Sequence, residues 1–243
     1  RVTVRSGPLS VARAVSADII VTFGGGSPIV TGKMVARAVA GDVDSARALV
    51  NLSASRARPD AGKILPQIAI PTTLSAAEFT PIAGMTDEEA RLKIPFSDFL
   101  LTPRVVILDP ELTIATGPEL WGSTGIKALD HAVEIAYSSR HQPLTDATAL
   151  EAIRLLFAYL PGTVSQPGDL EARVQCQVAA CLSINGVVNV RLGLSHALGH
   201  QIGAYGNVPH GATSCIVLPH VMRFVAPMAA PQLALMARAM GLD

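Results

Sequence analysis

The chain has 243 residues and a formal net charge of zero, with 49% hydrophobic, 16% charged and only 4% aromatic residues. This length fits one large domain or two ordinary ones, and the apolar share is sufficient for a buried core. Balanced charge argues against nucleic-acid binding, because proteins with that function normally carry a basic excess. Three cysteines without CxxC spacing, and apolar runs too short to span a bilayer, predict a cytoplasmic protein without a membrane segment.

The first half alternates between helical and strand-like patterns, whereas the second half is helical. Apolar segments typical of buried parallel strands occupy 18–23, 68–73 and 105–110. Helices are predicted over 8–17, 31–40, 125–138, 144–160, 170–188, 194–204 and 228–240. These patterns predict an α/β domain over residues 1–114, followed by an all-α domain over residues 115–243.

A glycine-rich turn, Gly-Gly-Gly-Ser at 24–27, follows the first predicted strand. Glycines between a strand and a helix let backbone amides approach a phosphate, whose charge the helix dipole favours. The spacing matches neither GxGxxG nor GxxxxGK[ST], so a plain connecting turn is an equal alternative. Thr72 and Thr73 end the second predicted strand, where open α/β sheets bind ligands, and they therefore favour a ligand site.

Two polar pairs at helical spacing stand out in the second half. Lys127 and His131 are four residues apart, and so are His196 and His200, so each pair lies on one helix face. His210 follows a turn and precedes a glycine. Buried nitrogen atoms in apolar helices need partners, and convergence on a metal ion or a substrate is the simplest explanation.

The order of these motifs resembles the iron-containing (group III) alcohol dehydrogenase family. The matching segments are 24–33, 71–78, 109–113, 125–131 and 196–210, within a resemblance that runs from about residue 17 to residue 222. The resemblance implies an α/β dinucleotide-binding domain and a helical catalytic domain, an architecture shared with dehydroquinate synthase, in a chain incomplete at both ends. It also implies a homodimer that binds NAD(H) or NADP(H).

The resemblance assigns roles to particular residues. The residues expected to bind the cofactor are Gly25, Gly26, Ser27, Thr72, Thr73, Ser75 and Lys93. The candidate catalytic residues are Lys127, His131, His196, His200 and His210, with His200 as a proton relay. If iron or zinc is bound, the expected ligands are His131, His196 and His210.

Two positions depart from the family pattern. Metal-binding members have Asp four residues before the first histidine, where this chain has Lys127, and Val30 replaces the Asp of the glycine loop. A charged lysine has no lone pair and would repel a divalent ion. We therefore expect a metal-free site in which Lys127 supplies the positive charge. In the alternative, Lys127 turns away and leaves a metal site of three histidines intact.

Segment 71–78 is one residue shorter than in typical alcohol dehydrogenases of this family. It has the length seen in maleylacetate reductases, which also lack the metal-binding Asp. The predicted function is therefore reduction of a small anionic oxo or enone substrate by NAD(P)H. The alternatives are a metal-dependent alcohol or aldehyde dehydrogenase of the family and a nucleotide-binding relic without activity. A dehydroquinate synthase would need more basic residues and an acidic metal ligand that we do not find.

Overall fold

The computed structural model describes residues 6–43, 48–49, 51, 61–87, 92–206, 208 and 210–242. The chain divides into two compact units, one of Arg1–Pro71 with Ala77–Ile107 and one of Thr72–Ala76 with Leu108–Asp243. The first unit contains a parallel sheet and helices, and the second is helical. The predicted fold class, an α/β part followed by a helical part, is therefore confirmed. In the described part of the chain, no helix is long and apolar enough to cross a membrane.

A three-stranded parallel sheet forms the centre of the first unit. Its order is β1 (Ile20–Gly24), β2 (Gln67–Pro71) and β5 (Val105–Val106). The first two strands pair along their whole length, and Gly24 lies opposite Pro71. These two strands consequently end at the same edge of the sheet. The third predicted strand is limited to two residues.

Helices α1 (Ser6–Ala14) and α2 (Gly26–Ala40) belong to the same unit. Strands β3 (Ile82–Asp87) and β4 (Leu92–Ser97) form an antiparallel hairpin that the sequence patterns do not predict. Proline is rare inside strands, and Pro95 lies within β4, so the segment lacks a clear strand signature. The core of this unit is formed by Leu9, Met34, Val35, Ala38, Leu49, Ala83 and Phe96.

The second unit is a helical assembly in which a long helix, α3, contributes many of the buried side chains. Its described helices are α3 (Pro118–Tyr137), α4 (Pro143–Ser165), α5 (Leu170–Ile184), α6 (Leu194–Gly206), α7 (His210–Val225) and α8 (Ala230–Ala239). The sequence patterns miss α7, because Pro219 inside it is a signal for a helix end. Helix α5 ends four residues before its predicted end, ahead of Gly186, whose φ of 87° is not helical.

A fully buried arginine joins several segments of the helical unit. Arg173 Nη1 donates to the carbonyl and hydroxyl oxygens of Thr113, both at 2.9 Å, and Nε donates to Pro167 O at 2.6 Å. The guanidinium carbon lies 4.2 Å from the ring centre of Trp121. Trp121 Nε1 in turn donates to Thr163 Oγ1 at 2.9 Å. Neutral oxygens and an aromatic face thus replace part of the water that this cation loses on burial, while Nη2 has no hydrogen-bond partner in the described part of the chain.

Replacing Arg173 with methionine should lower the free energy of unfolding by about 3 kcal/mol, because it leaves buried carbonyl groups without donors. The measurement is urea denaturation followed by the fluorescence of Trp121, the only tryptophan in the chain. Arg154→Met is the matched control, since Arg154 forms a half-exposed ion pair with Glu151 on a helix surface. Equal losses in the two variants would contradict a structural role for the buried cation.

Candidate active site

Four buried polar side chains lie along one face of α3. Lys127, Asp130, His131 and Glu134 recur at spacings of three and four residues, and each is at most 7% exposed. The sequence analysis identified Lys127 and His131 but not the two carboxylates. The same helical spacing could have identified them, because a charged residue on the apolar face of a helix needs a buried partner.

Glu134 accepts hydrogen bonds from four donors. Gly193 N and His196 Nδ1 contact Oε2 at 2.8 and 2.5 Å, while Ser195 N and the Tyr137 hydroxyl contact Oε1 at 2.7 and 3.0 Å. Burial alone raises the pKa of Glu134, but the bond to His196 and the two amides outweigh it and leave the pKa below its usual value. Four donors use the roughly four lone-pair positions of a carboxylate, so Glu134 has none left for a metal ion.

Lys127 lies in an ion pair that the sequence analysis did not anticipate. Its Nζ is 3.3 Å from Asp130 Oδ2, and the Ser214 hydroxyl of α7 donates to the same oxygen at 2.6 Å. Asp130 is fully buried, and its carboxylate compensates the charge of the neighbouring ammonium group. Lys127 is consequently a paired cation, and the sequence analysis, which expected Lys127 to supply the positive charge of the site, did not include this carboxylate.

The structure brings three of the predicted catalytic histidines together, and the rings of His131 and His200 both lie next to that of His196. The ring centroids of His131 and His196 are 4.9 Å apart, and those of His196 and His200 are 6.3 Å apart. His196 Nδ1 is also 3.7 Å from Asp130 Oδ2, which connects the imidazoles to the Lys127 ion pair. The remaining candidate, His210, begins α7, and its side chain lies outside the described residues.

The glycine turn in the first unit has the strand–turn–helix order that the sequence analysis expects of a phosphate-binding loop. Gly24 has a φ of 131°, and a Cβ at this position would lie 3.0 Å from Pro28 Cγ, so a larger residue would be strained. Gly25 caps α2 without a side-chain hydrogen bond, and α2 begins with Gly26 and Ser27. The first amides of a helix have no acceptor within it and suit an anionic ligand.

The other predicted cofactor contacts fall on a segment assigned to the second unit and on the hairpin of the first. Thr72 O accepts the Thr116 hydroxyl at 2.7 Å, which fixes the start of the segment Thr72–Ala76. Thr73 Oγ1 is buried and has no hydrogen-bond partner in the described part of the chain, whereas Ser75 is half-buried. The backbone of Lys93 lies in β4, but its side chain is outside the described residues.

Lys33, a residue of the family-like glycine motif, holds the segment between β2 and β3. Its fully buried ammonium group donates to the carbonyl oxygens of Ala77 and Thr80, both at 2.6 Å, and of Ile82 at 3.1 Å. Burial lowers the pKa of Lys33 to about 8, although the nearby Glu78 opposes this shift. Burial also raises the pKa of Glu78 to about 7, against the effects of its backbone amide and of Lys33.

Two family models match most of the chain. The model described as iron-containing alcohol dehydrogenase matches residues 6–110, and the C-terminal model of the Fe-containing alcohol dehydrogenase family matches residues 122–243. The chain belongs to the iron-containing alcohol dehydrogenase family. The resemblance inferred from the motifs is thereby confirmed.

Several family members resemble the chain along nearly all of its length. Lactaldehyde reductase of Escherichia coli K12 is 35% identical over 99% of this chain and 62% of its own, and 1,3-propanediol dehydrogenase of Klebsiella pneumoniae is 36% identical over 91% and 56%. The crystal structure of a 1,3-propanediol oxidoreductase superposes with a TM-score of 0.88 at 34% identity, covering 99% of this chain and 61% of that one. Maleylacetate reductase from Rhizobium sp. strain MTP-10005 gives 0.80 at 30% identity, over 96% and 59%. The chain thus spans less than two thirds of each relative.

The family's name implies an iron ion, but the cluster of Asp130, Glu134 and His196 does not fit one, whereas the predicted set of His131, His196 and His210 stays a prediction because the His210 side chain lies outside the described residues. Asp130, Glu134 and His196 have ligand atoms within 4.8 Å of one another, as in many metal sites. However, donors occupy the lone pairs of Glu134, and Asp130 is paired with Lys127. Lys127 itself brings a buried positive charge and no lone pair to the position where metal-binding members have Asp. Hydrogen bonds and an ion pair therefore account for Glu134 and for Asp130 Oδ2, whereas the buried Asp130 Oδ1 has no hydrogen-bond partner in the described part of the chain.

The buried Glu78 should make stability depend on pH. Because the folded-state pKa is raised, the folded protein retains a proton that the unfolded chain releases, so the free energy of unfolding falls as pH rises from about 4.5 to about 7. The fall should be about 3 kcal/mol, and Glu78→Gln should remove it. The effect of Lys33 begins only above pH 8 or so, outside this window.

Denaturation by urea at pH 5 and at pH 7.5 measures this difference in both proteins. Glu171→Gln, at an exposed position on α5, is the control and should retain the fall seen in the unmodified protein. The same fall in Glu78→Gln would show that other groups cause the pH dependence.

Proposed function

We propose that the protein is an NAD(P)H-dependent reductase of a small anionic oxo or enone substrate, similar to maleylacetate reductases and independent of a metal ion. Membership of the family supports an NAD(P)-dependent oxidoreductase. The observation that carries the metal-independent part is the buried ammonium group of Lys127, which lies 3.3 Å from Asp130 Oδ2. A fixed cation at this position can stabilise negative charge on a substrate oxygen without a metal ion.

Reduction of a carbonyl group places negative charge on its oxygen, and Lys127 is suited to oppose that charge. When bound, NAD(P)H supplies the hydride. Lys127 Nζ donates a hydrogen bond to the carbonyl oxygen, and the proton follows as the C=O electron pair becomes an alkoxide or enolate pair. Asp130 holds the ammonium group, Ser214 holds Asp130, and His200 relays the replacement proton.

Two observations support an anionic substrate, and two favour an uncharged aldehyde as a second candidate. The length of segment 71–78 and the structural similarity to maleylacetate reductases support the anion. The pairing of Lys127 with Asp130 reduces the local positive charge, and the relatives named as lactaldehyde reductase and 1,3-propanediol dehydrogenase favour the aldehyde. A spectrophotometric screen of NADH and NADPH with maleylacetate, lactaldehyde and 3-hydroxypropanal separates the two. Turnover of the aldehydes alone would reject the anionic substrate.

Lys127 should be essential for turnover but not for cofactor binding. Lys127→Met should lower kcat by roughly 10²–10³-fold, because it removes the donor that opposes the developing charge. The dissociation constant of NAD(P)H, measured by fluorescence titration, should be unchanged. A kcat close to that of the unmodified protein would contradict the proposed role.

The metal-independent part is tested separately by Lys127→Asp, which restores the residue of metal-binding members. After incubation with Zn²⁺ and dialysis, this variant should retain about one equivalent of zinc, since a carboxylate adds the ligand that lysine lacks. The unmodified protein should retain almost none and should keep its activity after treatment with a chelator. Loss of that activity, restored by Fe²⁺ or Zn²⁺, would support the metal-dependent dehydrogenase instead.

Thr73 is a candidate contact for the cofactor because its buried hydroxyl lacks a partner in the described structure. Thr73→Val should raise the KM for NAD(P)H by roughly 3–10-fold, the effect of losing one hydrogen bond, with little change in kcat. Thr148→Val, at a half-buried position of α4, is the control and should leave both constants unchanged. An unchanged KM in the Thr73 variant would remove this residue from the cofactor site. The cytoplasmic location and the homodimer remain predictions from the sequence.

A further inference from the structure

We infer that Glu134 is a positioning residue that fixes the protonation pattern and the direction of the His196 ring relative to α3. The kinetic consequence of this inference rests on the proposed function, whereas its structural content does not. Glu134 lies on α3, and His196 lies on α6, so one carboxylate connects two of the helices that carry candidate catalytic residues. None of the sequence motifs assigned a role to this residue.

Glu134 acts first on the start of α6. Its two oxygens accept the amides of Gly193 and Ser195, at 2.8 and 2.7 Å, immediately before and within the first turn of that helix. Amides at a helix start have no acceptor inside the helix, and the helix dipole favours a negative charge there. The carboxylate therefore sets where α6 begins, two residues before His196.

Glu134 acts next on the imidazole itself. An ionised carboxylate only accepts hydrogen bonds, so His196 Nδ1, at 2.5 Å from Oε2, must carry the proton. A neutral ring protonated at Nδ1 has its lone pair on Nε2, on the side of the ring away from Glu134. The carboxylate thus determines which nitrogen of His196 can accept a proton or a hydrogen bond from a substrate.

The surrounding packing is adapted to this carboxylate. A Cβ at Gly193 would lie 2.6 Å from the Tyr137 hydroxyl oxygen and 2.9 Å from Glu134 Oε1, so any larger residue here would displace these two side-chain ends. Asp130 Oδ2, the other carboxylate oxygen near His196 Nδ1, is 3.7 Å away, beyond hydrogen-bond distance. Within the described residues, Glu134 is therefore the acidic partner that holds the ring.

Glu134→Gln is the decisive variant because glutamine has nearly the same shape as glutamate, but its NH₂ group would face the hydrogen-bond donors that now contact one carboxylate oxygen. ¹⁵N-histidine NMR should show His196 protonated at Nδ1 and unprotonated at Nε2 in the unmodified protein, and a mixture of forms in the variant. Glu151→Gln, which alters a half-exposed carboxylate on α4, should leave the His196 signals unchanged. Identical His196 signals in Glu134→Gln and the unmodified protein would overturn the inference, whether or not a substrate is known.

A double-mutant cycle separates positioning from a general loss of structure. Glu134→Gln should lower kcat by roughly 10–100-fold, as is typical when the residue that orients a functional histidine is lost, with the KM for NAD(P)H within about twofold. In a His196→Ala background, the same change should have no further effect on kcat. A purely structural role would lower kcat equally in both backgrounds and would overturn the inference.

If Glu134→Gln does not fold, Gly193→Ala provides a second test, because its Cβ displaces the carboxylate without removing it. It should produce the same mixture of His196 forms, and unchanged signals would count against the inference. Absence of turnover in the unmodified protein with every substrate would refute the proposed function only, since the NMR comparison requires no activity.

Discussion

The arrangement of the candidate active site depends on one buried carboxylate that receives four hydrogen bonds. Glu134 accepts hydrogen bonds from two amides at the start of α6, from Nδ1 of His196 and from the hydroxyl of Tyr137. A buried negative charge is costly unless donors surround it, and here the donors come from two helices and the loop before one of them. The requirement to satisfy this charge therefore fixes the position of α6 relative to α3, and with it the distance between His131 and His196.

A second buried charge lies next to the first. Lys127 occupies the position at which metal-binding members of the family carry Asp, and Asp130, three residues further along α3, compensates it. The two charges are physically coupled: an isolated ammonium group would be destabilising in this position, whereas the pair with Asp130 and its bond from Ser214 is tolerated. The proposed function rests on this charge arrangement, which places a buried hydrogen-bond donor at the position where metal-binding members have a ligand.

Much of the fold followed from local patterns. The parallel strands, the glycine turn and helices α3 to α6 were predicted because their apolar spacing and turn residues are local signals, whereas the expected burial of the first and third strands was wrong, since Val21, Phe23 and Val105 are exposed. The hairpin containing Pro95 and the helix containing Pro219 were missed, since proline is a local signal against both structures. Tertiary packing outweighs such local preferences.

The sequence by itself determined the family, the two-part fold and the presence of a lysine and several histidines at helical spacing. Only the tertiary structure identified Glu134 as the partner of His196 and Ser214 as the partner of Asp130. The reason is physical: Glu134 and His196 are 62 residues apart, and Ser214 lies 84 residues from Asp130. Contacts at such separations exist only after the helices pack, so whether a charge is paired or available is decided by the folded chain.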